Sequence, residues 1–392
     1  MSRRVLLIVL DSCGVGGAAD AADYGDAGAD TLGHTATAVG GLALPNLGAL
    51  GLGNLARIPG VDPAARPTAA FGRMAECSTG KDTTTGHWEL AGLLTSEPFA
   101  VFPEGFPAEL IARFAAETGR GVLGNKPASG TAIIEELGPT QLQTGEWIVY
   151  TSGDSVWQIA AHEDKIPLDE LYAACKVARQ LCDPLRVGRV IARPFVGEAG
   201  AFERTFNRHD FGMPPPEPTL LDRLKADGLP VVGVGKIGDI FSGSGLSESI
   251  HSEGNADGLR KTAERFARLQ DGLLFVNLIE FDSHYGHRRD PQGFARALTE
   301  FDRFLPQLTA LVNDDDLLLI TADHGNDPTH AGTDHTREHV PLLAFGPPAA
   351  AGQNLGLRQG FFELAATVAE ALGIDPLGRG ASFGAEIGAA RR

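Results

Sequence analysis

The sequence predicts an α/β protein with a doubly wound core, built from both ends of the chain and interrupted by a smaller α/β domain. Three observations lead there. Apolar runs of strand length at 5–10, 273–279 and 317–322 stand near both chain ends, and in the C-terminal half they alternate with helical patterns. Proline clusters, at Pro98, Pro103 and Pro107 and again at Pro214, Pro215 and Pro216, bracket a stretch of different character. Each apolar run also leads into a carboxylate (Asp11, Asp282 and Asp323), and ligands bind beyond the carboxyl ends of the strands in open parallel sheets. The expected division is a core of 1–96 and 217–392 with a cap domain at 97–216, which suits a chain of 392 residues.

The elements follow in order. Residues 5–10 form the first strand, because six apolar residues ended by Asp11 fit a buried strand better than a helix. A loop rich in Gly and Asp follows at 14–33, and 45–55 has the spacing of a short helix. Residues 69–77 read as a strand and 78–86 as a polar loop. Past the first prolines, 108–118 and 169–182 are helical, with strands at 145–150 and 189–191. Consecutive prolines at 214–216 end both helices and ladders. From Thr219 the alternation returns: a helix, strand 231–234, helix 256–269, strand 273–281, helix 293–312, strand 317–322 and a last helix at 361–372. There are no repeats and no low-complexity segments.

Composition narrows the function classes. A hydrophobic fraction of 43% supports a packed core, and 50 glycines with 24 prolines imply many turns and long loops. The net charge of −17 argues against non-specific nucleic-acid binding. It leaves room for small anions where metals or a few Arg and Lys make a local positive pocket. Four cysteines without C-x-x-C spacing fit a reducing compartment. Arg3-Arg4 before the first apolar run looks like the start of a signal peptide, but the run is too short and Asp11 ends it. No segment reaches the ~20 apolar residues of a membrane span. A cytoplasmic protein is expected. Its oligomeric state is left open, a monomer included.

The chemistry lies at the strand ends. A single carboxylate there is commonly a helix cap. Three carboxylates, with His287 close after Asp282 and His324 and His335 close to Asp323, have the makings of a two-metal hydrolytic or phosphoryl-transfer site. Mixed Asp and His donors suit Mn²⁺ or Zn²⁺. Such a site needs a nucleophile, and the segment 78–89 offers Thr83, Thr84 and Thr85, among which spacing does not choose. His87 reads either as a proton donor or as a packed loop residue. Gly14-Val15-Gly16-Gly17-Ala18-Ala19 matches a weak dinucleotide fingerprint, but the acidic stretch after it lacks helical periodicity, so a flexible active-site loop is preferred. Lys236 follows a strand and could reach a phosphate. Ser152, Asp154, Arg189, Arg193, Arg204 and Arg208 lie in the inserted region, where guanidinium groups could clamp an anion.

With these residues assembled, the chain resembles the phosphopentomutase family of the alkaline phosphatase superfamily. The resemblance runs from Val5 to about Phe383. It is carried by Asp11-Ser12-Cys13-Gly14-Val15-Gly16, by 78–89, 124–131 and 191–197, by Gly286-His287-Arg288-Arg289-Asp290 and by 321–338. The related cofactor-independent phosphoglycerate mutases share the metal-site logic. The resemblance implies an alkaline-phosphatase-like core and two Mn²⁺ ions. Asp282, His287 and His335 match the ligands of one ion, and Asp11, Asp323 and His324 those of the other. Thr83 matches the threonine that carries the phosphoryl group. Ser152, Asp154, Arg189, Ile191, Arg193, Arg204 and Lys236 match substrate-binding positions, and His284 is a bystander in the metal loop. The activity implied is interconversion of ribose 1-phosphate, or its 2-deoxy analogue, with the 5-phosphate. It would run through phospho-threonine and a 1,5-bisphosphate, with a sugar bisphosphate as activator, in nucleoside catabolism and pentose phosphate salvage. A phosphomonoesterase and a non-catalytic sugar-phosphate binder are the alternatives.

Overall fold

A computed structural model describes residues 3–152, 155–346, 350–375 and 377–388. By compactness the chain forms two units, Met1–Glu97 with Pro215–Arg392, and Pro98–Pro214. The first segment runs β1 (Arg4–Leu10), α1 (Thr31–Ala38), α2 (Pro45–Leu50), β2 (Ala70–Ala75) and α3 (Thr83–Leu90). The inserted unit holds α4 (Ala108–Thr118), β3 (Val122–Pro127), α5 (Gly130–Thr144), β4 (Trp147–Thr151), β5 (Val156–His162), α6 (Leu168–Cys182), β6 (Arg189–Val196), β7 (Glu203–Arg204) and β8 (His209–Gly212). The chain returns through α7 (Leu220–Ala226), β9 (Val231–Val234), α8 (Ile237–Ile240), β10 (Glu248–Ile250), α9 (Asn255–Arg268) and β11 (Gly272–Leu278). It ends with α10 (Pro291–Thr309), β12 (Leu317–Thr321), β13 (Val340–Phe345), β14 (Asn354–Gln359) and α11 (Phe362–Leu372).

The larger unit is built on an eight-stranded sheet of order β10-β9-β11-β1-β12-β13-β2-β14. β1 lies between β11 and β12 and is parallel to both, with Ile8 opposite Val276 on one side and Ile320 on the other. All three strands are buried along their whole length, as parallel strands covered on both faces must be. Their shared register brings Leu10, Leu278 and Thr321 to the same edge, and the functional residues follow from there. The sheet is mixed, however: β13 runs antiparallel to β12 and β2, and β14 is parallel to β2. The helices begin where their caps dictate. Asp30 accepts from Gly33 N, Asp82 from Thr85 N and Asp290 from Gly293 N, while Thr219 and Asp222 close a capping box on α7.

The inserted unit has its own sheet, β3-β4-β5-β6-β7, with β8 also paired to β6. Its core gathers Phe106, Phe114, Trp147 and Trp157, with the Phe114 and Trp157 rings edge to face at 5.2 Å.

Several sequence expectations shift. The strand expected over 273–281 stops at Leu278, and Phe281–Gly286 winds as one π-helical turn. The loop expected at 78–86 becomes helix at Thr83, and α1 begins inside the loop expected at 14–33. α5 was not expected, because Gly138 and Pro139 interrupt its apolar spacing.

The edge of the sheet remote from Asp11 is tied by a buried ion pair. Arg4 Nε lies 3.0 and 3.2 Å from the two Asp316 oxygens, and the guanidinium also donates to the carbonyls of Phe266, Leu269 and Leu311. Removing one partner of a buried pair strands the other charge. Asp316→Ala is therefore expected to destabilise the protein by about 3–5 kcal/mol in equilibrium urea unfolding. A loss below about 1 kcal/mol would mean the pair behaves like a surface one.

Candidate metal centre

The aligned strand ends deliver three carboxylates to one place. Asp11 and Asp323 come directly or nearly so after β1 and β12, and both are fully buried. Asp282 sits in the turn after β11. There His287 N donates to Asp282 O at 3.0 Å, an i to i+5 bond that widens the turn. In an α-turn those two side chains would diverge. Here His287 Nε2 lies 3.2 Å from Asp282 Oδ2.

Among the described residues two donor sets result: Asp282, His287 and His335, and Asp11, Asp282 and His324, with the donor atoms of each set all within 4.8 Å of one another. Asp282 belongs to both. Asp323 stands beside the second set through one oxygen. Its Oδ1 accepts from Ser12 N at 3.0 Å, and its Oδ2 lies 3.3 Å from His324 Nε2. His335 Nε2 is 3.3 Å from Asp282 Oδ1. His284 pairs with Glu280 at 3.2 Å and lies outside both sets.

The orientation of the ligand atoms fits a cation. His287 Nδ1 donates to Thr333 O at 2.7 Å and His324 Nδ1 to Gly325 O at 3.0 Å. A carbonyl can only accept, so each Nδ1 carries a proton, and Nε2 is the ring atom that faces the carboxylates. Asp11 Oδ1, Asp323 Oδ2 and His335 Nε2 are buried without a hydrogen-bond partner. Oxygen and imidazole donors together suit a divalent first-row cation. Burial pushes the Asp11 carboxyl well above its ordinary range, and repulsion from Asp323 and Asp282 adds to this, while the charge of Lys236 works against it. Burial also raises Asp282, but His287 and His335 outweigh it and hold that carboxyl well below the usual range. Burial holds His324 below its ordinary value, which favours the neutral, ligating form.

The three threonines now separate. Asp82 binds both the amide and the hydroxyl of Thr85, at 3.1 and 2.6 Å. Thr83, at the first turn of α3, places Oγ1 3.1 Å from His324 Nε2. One turn on, His87 is fully buried. Its Nδ1 lies 2.9 Å from Thr83 O and 3.0 Å from Asp323 Oδ2, and its Nε2 lies 3.2 Å from Asn277 Nδ2. With both nitrogens engaged, His87 is a packed residue that braces the site. α3 approaches so closely that a Cβ at Gly86 would stand 2.2 Å from Asp323 O.

Sequence reasoning missed the residues that hold the ligands. Asn277 Nδ2 donates to Asp11 Oδ2 at 2.6 Å. The signal was a polar residue inside an apolar strand. Asn326 Nδ2 donates to Asp282 Oδ1 at 2.7 Å, and its Oδ1 accepts from Arg289 Nη1 at 2.6 Å. Arg289 further binds the carbonyls of Gly286, Asp327, Gly332 and Asp334, so one side chain knits the His287 turn to the loop before His335.

Of the expected substrate residues, Lys236 precedes α8 in the larger unit, and its charge reaches Asp11. The others lie in the inserted unit. Arg189 is exposed and 3.9 Å from Asp210 Oδ2. Arg193 Nε donates to Gln158 Oε1 at 3.0 Å. Burial and the neighbouring Arg208 lower the Arg193 pKa. Arg204 is exposed on β7. Ser152 directly follows β4, and Asp154 lies outside the described residues. Ile191 has a buried side chain, and its strand is paired on both sides.

Comparison with known proteins gives the family. Residues 3–376 match the metalloenzyme superfamily. The chain is 57% identical over 388 residues to the phosphopentomutase of Anaeromyxobacter dehalogenans strain 2CP-1, covering 99% of this chain and 100% of that one. It is 55% identical to the phosphopentomutase of Symbiobacterium thermophilum over 98% of each chain. Among solved structures, Leishmania mexicana phosphoglycerate mutase covers 97% of both chains with a TM-score of 0.50 at 14% identity, a likeness of fold alone. The chain belongs to the phosphopentomutase family of the metalloenzyme superfamily.

Proposed function

We propose that the protein interconverts ribose 1-phosphate, or 2-deoxyribose 1-phosphate, with the 5-phosphate, as an Mn²⁺-dependent isomerase that works through phospho-Thr83. The observation that carries this reading is the approach of Thr83 Oγ1 to His324 Nε2, at 3.1 Å, beside two Asp/His donor sets. The identity of more than half the residues with named phosphopentomutases supports the substrate class. In this reading Asp282, His287 and His335 hold one Mn²⁺, and Asp11, Asp323 and His324 hold the other. Bound there, the cations would neutralise charge on the phosphoryl oxygens and make the threonine hydroxyl a better nucleophile.

The chain's own residues do the rest. Thr83 stands at the amide end of α3, where the helix dipole favours the charge of a phosphoryl group. Phospho-Thr83 gives its phosphoryl group to a sugar-phosphate hydroxyl. The Thr83 O–P bond breaks, a sugar O–P bond forms, and the hydroxyl proton ends on Thr83 Oγ1. The 1,5-bisphosphate then returns its other phosphate to Thr83 with the reverse proton movement. Ser152, Asp154, Arg189, Ile191, Arg193, Arg204 and Lys236 bind the sugar phosphate, with the guanidinium groups matched to phosphate oxygens. Water must be kept out while the bisphosphate reorients, because hydrolysis of phospho-Thr83 would leave an idle enzyme that a sugar bisphosphate has to prime.

With Mn²⁺ and ribose 1-phosphate, the protein is expected to form ribose 5-phosphate. Free phosphate without ribose 5-phosphate would identify a phosphomonoesterase instead. The active protein should carry about 80 Da of added mass from covalent phosphorylation, mapping to Thr83 and absent from Thr83→Ala. Asp323→Asn is expected to weaken Mn²⁺ binding by at least the roughly 10–100-fold seen when residues supporting metal ligands are lost. Full occupancy in calorimetric titration of that variant would remove Asp323 from the ligand set.

A further inference from the structure

Arg337 is a heavily engaged side chain near the site that the reaction above does not use. It is 2% exposed. Nη1 donates to Ser78 O, Gly80 O and Glu76 Oε2, each at 2.8 Å, and Nη2 donates to Glu76 O at 2.7 Å. Nε reaches Asp20 Oδ2 at 3.1 Å, and the guanidinium lies over the Tyr24 ring, 4.8 Å from its centre. Three carbonyls of the loop 76–81, which leads directly into α3 and Thr83, thus converge on one planar cation. The amide side of the same loop is held by Glu89 of α3, which accepts from Cys77 N and Ser78 N at 2.9 and 2.6 Å. Arg337 lies two residues beyond His335, on a segment pinned by bridges from Thr336 to Gly325 and from Glu338 to Gly17. A second tie runs parallel. Lys81 Nζ lies 3.0 Å from Asp26 Oδ2 and 3.3 Å from Asp334 Oδ2, and Asp26 also accepts from Arg337 N at 2.8 Å.

We propose that Arg337 is a positioning residue: its guanidinium fixes the loop 76–81, and so the hydroxyl of Thr83, against the segment that carries His335. The inference rests on the reading of Thr83 as the nucleophile. A fork of donors is what the geometry requires. A lysine ammonium keeps the charge near Glu76 but cannot serve three separated carbonyls and two carboxylates at once. Misplacing the nucleophile should slow the chemical step more than it weakens substrate binding.

The test compares Arg337→Lys and Lys81→Gln with the unsubstituted holoenzyme by three readouts: kcat and KM, bound Mn²⁺ per chain, and amide hydrogen exchange over 76–81. Arg337→Lys should lower kcat roughly tenfold to a hundredfold, as small misplacements of reacting groups do, with KM within about twofold. Its Mn²⁺ content should stay unchanged, and the 76–81 amides should exchange faster. Lys81→Gln should show the same pattern more weakly, and because Lys81 lies nearer the surface this variant remains informative if Arg337→Lys fails to fold. Unchanged kcat or unchanged exchange would overturn the proposal, as would a loss of activity that follows loss of Mn²⁺, which a merely structural role predicts. If the unsubstituted protein shows no mutase activity, the reading of Thr83 fails instead, while exchange over 76–81 still reports whether Arg337 holds the loop.

Discussion

Like charge at close quarters is the constraint on which this structure turns. Asp11, Asp282 and Asp323 are buried at one edge of a parallel sheet, where low dielectric makes their mutual repulsion large. The strands leave them no choice, since the registers of β1, β11 and β12 fix where each backbone ends. The surrounding residues are arranged around that repulsion. Asn277 and Asn326 each donate to a carboxylate, Ser12 offers its amide, and His287 and His324 turn Nε2 inward. The amides bring only partial positive charge into the middle of the cluster. Divalent cations would bring more, and the unpartnered oxygens of Asp11 and Asp323 are what they would bind.

The parts of the fold that could be read from sequence are those where burial is complete. Strands covered on both faces become unbroken apolar runs, and β1, β11 and β12 stand out for that reason. The far edge of the sheet hides the same information. β13 carries Pro341, and β14 is a polar edge strand with Gly356 inside it. α5 contains Gly138 and Pro139, and the π-helical turn after β11 has no local sequence signature at all. Its effect is nonetheless large, since it is what brings His287 back to Asp282.

The candidate site divides in the same way. Charged residues at strand ends announce themselves, so the Asp and His donors were visible as a group. Which threonine faces them was not, because 83, 84 and 85 are chemically alike and only the cap at Asp82 distinguishes them. Their supports stayed hidden because their partners lie far away in sequence. Arg289 gathers carbonyls from Gly286 to Asp334, and Arg337 reaches back to residues 76–80. A single substitution at either arginine would disturb segments that no motif connects.

The place of β1 has a consequence for how the chain is made. Among the described strands it leaves the ribosome first, yet its partners there are β11 and β12, which begin at Gly272 and Leu317. Six apolar residues, Val5 to Leu10, must therefore wait unpaired through most of synthesis. The inserted unit, contiguous from Pro98 to Pro214, can finish folding in the meantime. Asp11 marks the boundary of that waiting strand, and its burial comes late, when the C-terminal third arrives with the rest of the metal-binding edge.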